Sequence, residues 1–169
     1  MDATALRALQ APLKDRYRTE PDAAVITLKA QGTLDDQHIA CKVETGRALA
    51  VAGLHPASGG SGAELCSGDM LLEALVACAG VTLKAVATAL EIDLRHGTVT
   101  AEGDLDFRGT LGVDKTAPVG FRAIRLAFDI DSDAPQEKID QLLKLTERYC
   151  VVFQTLNHKP DLSVELRPT

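Results

Sequence analysis

From residue 66 to 92 the chain is apolar around most of a helical circumference. At about 100° per residue, Asp69, Glu73, Gly80, Lys84, Thr88 and Glu91 fall within a stripe roughly 100° wide. The other positions are almost all Leu, Val, Ala, Met, Ile, Thr or Cys. A helix with so little polar surface must be covered on several sides, which predicts a place at the centre of the fold. Ser67 is its expected N-cap, and Asp69 in the first turn complements the dipole. Cys78 lies about 140° from Glu73, well away from the polar stripe.

The flanking segments supply the cover. Residues 4–19 carry Leu6, Leu9 and Leu13 between basic residues, a weakly amphipathic helix expected to be interrupted at Pro12. Strands are expected at 23–29, 38–44 and 47–54, the last two joined at Thr45-Gly46, as a small antiparallel unit. Residues 55–64 read as a loop. Alternation at 97–107 (Val99, Ala101, Leu105, Phe107) and at 120–131 (Ile124, Leu126, Phe128, Ile130) predicts two longer strands. The long connection 108–119 between them is either functional or mobile.

Ser132 or Asp133 can cap a second long helix, with Pro135 in its first turn. Its apolar face is Ile139, Leu142 and Leu143, and Cys150 falls within about 40° of that face. A short helix at 151–157 and a final strand at 161–167 complete the pattern. The expected architecture is a single α+β domain over 1–169, with a helical segment at 1–20, a small β unit at 23–64 and a helix–sheet core at 65–169. A helix apolar on three sides exceeds what one small sheet covers, which favours a homodimer; a monomer with the helix sandwiched between sheet and second helix is the alternative.

Composition narrows the function. A chain of 169 residues can bury a substantial core. The net charge of −6 argues against phosphate-backbone and anionic-membrane partners. The stretch 74–83, the longest uncharged run of the central helix, is far short of a bilayer span. Met1-Asp2 opens no signal-peptide pattern, so a cytoplasmic location is expected, where thiols stay reduced. Free, reactive or metal-bound roles are then expected for Cys41, Cys66, Cys78 and Cys150, which include no Cys-x-x-Cys.

A buried Cys usually packs as a small hydrophobe, and both Cys78 and Cys150 have that reading. What sets them apart is that each lies on a core-facing side of one of the two long helices. Packing those helices together could bring the thiols close, and two thiols in disulfide range form a redox pair if one has thiolate character. Cys66, just before the central helix, is an alternative partner for Cys78; Cys41 is expected only to pack. No metal site is expected: His38 and Cys41 face opposite sides of a strand, and His55, His96 and His158 lack helical pairing. Gly59-Gly60-Ser61-Gly62 is not a phosphate loop.

Leu71-Leu72-Glu73-Ala74-Leu75-Val76-Ala77-Cys78 and Glu147-Arg148-Tyr149-Cys150-Val151-Val152 resemble the two cysteine segments of the OsmC/Ohr family (osmotically inducible protein C and organic hydroperoxide resistance protein). The Gly-rich loop 56–62 is similar too, and the order of elements agrees over roughly 25–166. The resemblance implies an intertwined homodimer with active sites at the subunit interface. It implies reduction of organic hydroperoxides, with Cys78 as peroxidatic and Cys150 as resolving residue. No organic cofactor or metal is then needed, only an external dithiol.

The chain departs from the hydroperoxide-resistance pattern at three places. Gly68, followed by Asp69, stands where a Glu is expected. Arg47 is the best placed candidate for the thiolate-holding Arg. Val151-Val152-Phe153 replaces the Pro-Val-Ser often found after the second Cys. A non-catalytic binding protein with inert thiols and an apolar interface pocket is the alternative function.

Overall fold

A computed structural model describes residues 3–34, 41–43, 52–63 and 65–166. Its centre is α2 (Ser67–Ala89), which buries Leu72, Leu75, Val76, Ala79, Gly80, Leu83 and Ala87. These positions recur at helical spacing, so one face is continuous and dry. Each fully buried Leu or Val contributes about 1.5–3 kcal/mol relative to exposure. The N-cap is Cys66, in extended conformation and without a side-chain cap bond, rather than Ser67.

The sheet that α2 covers has the order β2-β1-β5-β6, all neighbours antiparallel, from β1 (Val25–Leu34), β2 (Cys41–Val43), β5 (His96–Asp106) and β6 (Ala123–Asp131). The early strands therefore do not form a unit of their own. β1 pairs along β5 from Val25 opposite Asp106 to Thr33 opposite Thr98. Register fixes the buried face: Val99 and Ala101 are fully buried, and Ile124, Leu126, Phe128 and Ile130 of β6 pack on the same core.

Of the strand expected at 47–54, residues 52–54 are described, and β3 (Ala52–Gly53) among them pairs in parallel with β4 (Leu65–Cys66). This pairing closes the loop between them. Gly60 is required there, because a Cβ would stand 1.6 Å from the Leu54 carbonyl oxygen. Thr45, Gly46 and Arg47 lie outside the described residues, as does His38.

At the other end of the sheet, α1 (Ala3–Thr19) runs through Pro12 without interruption. Tyr17 is buried against Ala24, Phe107 and Leu111, and its hydroxyl donates to the Ala57 carbonyl at 2.8 Å. That packing offsets the single backbone bond Pro12 forfeits. Phe107 does not continue β5 but opens a one-turn helix, α3 (Phe107–Thr110), because Asp106 accepts the Arg108 backbone N–H and caps it.

The connection 108–119 is tied rather than loose. Arg108 grips Asp106 at 2.6 Å, Asp114 accepts from Thr116, and a Cβ on Gly109 would meet the Pro118 carbonyl oxygen at 2.4 Å. The Asp106 side chain is 1% exposed. The Arg108 guanidinium bonded to it holds this carboxyl below the usual carboxylate range against the cost of burial.

The second long helix, α4 (Gln136–Tyr149), begins one residue after Pro135, which occupies the N-cap. Ser132 donates to the Asp93 carbonyl instead of capping it. Leu142 and Thr146 of α4 are buried against α2. Past α5 (Val151–Asn157), residues 159–166 form no strand, and Leu162, Val164 and Leu166 are exposed. No described strand of this chain lies beside them to supply a ladder.

The outward face of α2 also differs from the polar stripe. Gly80 is buried and Glu73 and Lys84 are half-buried, while Leu71, Ala74 and Val81 are exposed. Long stems let Glu and Lys lie along a packed surface with the charge still in water. Cys78, half-buried, shares the outward apolar face: Leu71, Ala74, Cys78 and Val81 follow one another at helical spacing.

Candidate active site

Cys78 sits in the middle of α2, and Cys150 sits where α4 breaks into α5. The break has a local cause. Cys150 takes φ −70° and ψ 105°, which ends one helix and starts the next. Its Sγ accepts the Phe153 backbone N–H at 3.5 Å, as an N-cap side chain does. The first amides of a helix have no partner within it, so those of Val151 and Val152 remain free to bond elsewhere. They face the sulfur of Cys78 and favour its ionised form, and that of Val152 also faces Cys150.

Four donors therefore converge on Cys78: the Val152 and Val151 amides, the Cys150 thiol and the Thr82 hydroxyl. Thr82 is one helical turn after Cys78, and side chains at that spacing meet on one face. Burial alone would raise the Cys78 pKa, but these hydrogen bonds outweigh it and hold the thiol below its ordinary value. Cys150 behaves oppositely. It is 1% exposed, and burial, reinforced by the neighbouring Cys78 sulfur, pushes its pKa up to about 11 despite the Phe153 amide. The pair is thus asymmetric: one sulfur has its pKa held down and is half-open to solvent, and the other has its pKa pushed up and is enclosed. Both are free thiols.

The other candidates are placed elsewhere. Asp69 lies nine residues before Cys78, about 13 Å away along the helix axis, and so does not reach it. It faces His55, and burial raises its pKa; its charge in turn helps raise that of Glu73. Arg47 lies outside the described residues. Cys66, at the N-cap of α2, is about 18 Å along the axis from Cys78, far beyond the roughly 7 Å limit for a disulfide's Cα separation. Cys41 lies in β2.

His55 stacks on Phe107 with centroids 5.0 Å apart, and its Nδ1 accepts the Ala57 N–H. Among the described residues no group of three His, Cys, Asp or Glu could hold a metal ion.

Sequence reasoning looked for a cation beside Cys78 and missed the amide donors. The signal for Thr82 was present in its spacing from Cys78. For the amides, the signal was the residue after Cys150: a Pro there would have no N–H, whereas Val151 has one.

The α+β fold thus places two free thiols of unequal acidity side by side, one on the core helix and one at a helix break. Residues 60–165 match the family model for OsmC-like proteins, well over half of the 169-residue chain, and the protein belongs to that family. Among solved structures, an OsmC-like hydroperoxide resistance protein from Jannaschia sp. CCS1 is similar in fold. It has 17% identity and a TM-score of 0.60, and the match covers 86% of this chain and 95% of that one. No curated protein sequence matches.

Proposed function

We propose that the protein reduces organic hydroperoxides with Cys78 as the attacking thiolate and Cys150 as the resolving thiol. The observation that carries this reading is the convergence of two amides, a hydroxyl and the second thiol on Cys78. In the first step the Cys78 thiolate attacks one peroxide oxygen. An S–O bond forms, the O–O bond breaks, and the alkoxide leaves with a proton as the alcohol. Cys78 is then a neutral sulfenic acid.

The second step follows from the first. While Cys78 is an anion it keeps Cys150 protonated; once that charge is gone, only burial opposes ionisation, and the Phe153 amide favours it. The Cys150 thiolate attacks the Cys78 sulfur, an S–S bond forms, and hydroxide leaves as water with the proton Cys150 has lost. An external dithiol returns both sulfurs to thiols by two exchanges. The chain needs no metal or organic cofactor for these steps, and a reducing compartment such as the cytoplasm suits them.

A homodimer fits the same site. The exposed run Leu71, Ala74 and Val81 flanks Cys78, and the unpaired apolar residues Leu162, Val164 and Leu166 follow α5. A second copy laid on this face would give the thiolate a dry outer wall.

The test is turnover of cumene hydroperoxide with a dithiol reductant. Cys78→Ser is expected to abolish it, whereas Cys150→Ser should give one turnover ending in sulfenic or sulfinic acid at Cys78. Undiminished turnover in Cys78→Ser would exclude the assignment, and inert thiols in the parent protein would leave a binding protein.

A further inference from the structure

The break at Cys150 leaves a carbonyl in need of a donor. In an unbroken helix the Val151 N–H would bond the carbonyl four residues back, that of Glu147. The Cys150 ψ of 105° turns the Cys150–Val151 peptide out of that register, and its N–H faces the Cys78 sulfur instead. A carbonyl released in this way at a helix end takes whatever donor lies within reach. Here the donor is a side chain: Gln154, half-buried on α5, gives its Nε2 hydrogen to the Glu147 carbonyl at 2.7 Å.

Gln154 also holds the other end of the same peptide. Its backbone N–H donates to the Cys150 carbonyl at 2.9 Å. One residue therefore bonds the C=O of the Cys150–Val151 peptide and occupies the acceptor that its N–H would otherwise regain. That peptide has two competing orientations. With the N–H toward Glu147 the helix runs on, and with the N–H toward Cys78 it breaks. A Glu147 carbonyl already bonded by a primary amide draws the Val151 N–H back less strongly than a bare one.

We propose that Gln154 is a positioning residue for the dithiol: its side-chain amide replaces the Val151 N–H on the Glu147 carbonyl and keeps that N–H turned toward Cys78. The side chain acts through this peptide rather than on a sulfur. Its effect on the Cys78 thiol stands without the peroxidase reading; only the consequence for hydroperoxide reduction rests on that reading.

Iodoacetamide alkylation of Cys78 in the full-length reduced protein, read peptide by peptide across a pH series, is the test. Gln154→Met removes the donor and keeps an uncharged side chain of similar length. Its midpoint is expected to rise by about half a pH unit, a roughly threefold smaller thiolate fraction below it. Gln136→Met removes a comparable bond, 2.8 Å to Asp140 at the start of α4, and should leave the midpoint in place. Gln154→Lys restores a donor of similar reach and, with its charge screened in about 0.5 M salt, should return the midpoint to the parent value. A midpoint unmoved in Gln154→Met overturns the proposal, even if the melting temperature falls, because a side chain that only stiffened the bend would do that alone. An equal rise in Gln136→Met or in Gln154→Lys overturns it too. A midpoint raised only in Gln154→Met, in a protein that consumes no hydroperoxide, upholds the positioning role and removes the peroxidase reading. Hydroperoxide turnover by the parent with an unmoved midpoint in Gln154→Met does the reverse.

Discussion

Thr82→Val isolates one of the contacts that ionise Cys78. The change removes a hydroxyl and keeps the branched shape, so the helix and its packing stay as they are. Thr82 donates to the Cys78 sulfur from the next turn of α2. A hydrogen bond to a charged group is worth about 1.5–3 kcal/mol when buried. Cys78 is half-exposed and keeps its two amides and the Cys150 thiol, so about 0.7–1.4 kcal/mol is the appropriate loss. At about 1.36 kcal/mol per pH unit, this raises the Cys78 pKa by about 0.5–1.

Below that pKa the thiolate fraction falls about three- to tenfold, while the more basic sulfur gains intrinsic nucleophilicity. The net loss in rate is about two- to threefold. Peptide-resolved alkylation by iodoacetamide across a pH series reads both quantities. A midpoint unchanged or lowered in Thr82→Val would refute the hydrogen-bond origin of the acidity.

Three further outcomes follow from the same geometry. Val151→Pro removes one amide donor at a position where a helix tolerates Pro and where the side chain is 70% exposed, so Cys78 titrates at slightly higher pH with little loss of stability; a downward shift would contradict the amide contact. Asp106→Asn costs about 2–3 kcal/mol in urea unfolding at pH 7, since Arg108 loses its buried partner but keeps Asp114 at 3.7 Å. Because the Asp106 pKa is depressed on folding, its contribution is full above the unfolded value of about 3.9 and is lost as pH falls through the lower folded value; the parent should therefore lose stability more steeply than Asp106→Asn in acid, and parallel profiles would contradict this. Val81→Asp places a charge on the outward face of α2 and is expected to shift the sedimenting species to monomer; an unchanged dimer would remove that face from the interface.

The elements with strong periodicity were legible in the sequence. The alternation of Ile124, Leu126, Phe128 and Ile130 survives in β6 as one half-buried face, and the apolar run around Cys78 becomes the core helix. Boundaries set by local competition were not. Ser132 had the chemistry of an N-cap, but its hydroxyl goes to the Asp93 carbonyl, a contact made only on folding. Phe107 continued the strand pattern until Asp106 capped a turn.

For the site, the sequence supplied two thiols on two helices and no more. The cation it named, Arg47, lies outside the described residues, and the donors that face Cys78 include backbone amides, which every non-proline residue carries and which no residue type advertises. Cys150 looked like the end of a helical face. Its actual role as a helix break depends on a single extended ψ.

Rapid mixing of the reduced protein with cumene hydroperoxide, acid quenching and peptide mapping by mass spectrometry is the direct measurement. A peptide linked through Cys78 and Cys150, forming within seconds and absent from Cys150→Ser, is the expected result. Thiols that remain free after an hour, or a disulfide joining Cys78 to Cys66 instead, would contradict the pairing on which the proposed catalysis depends.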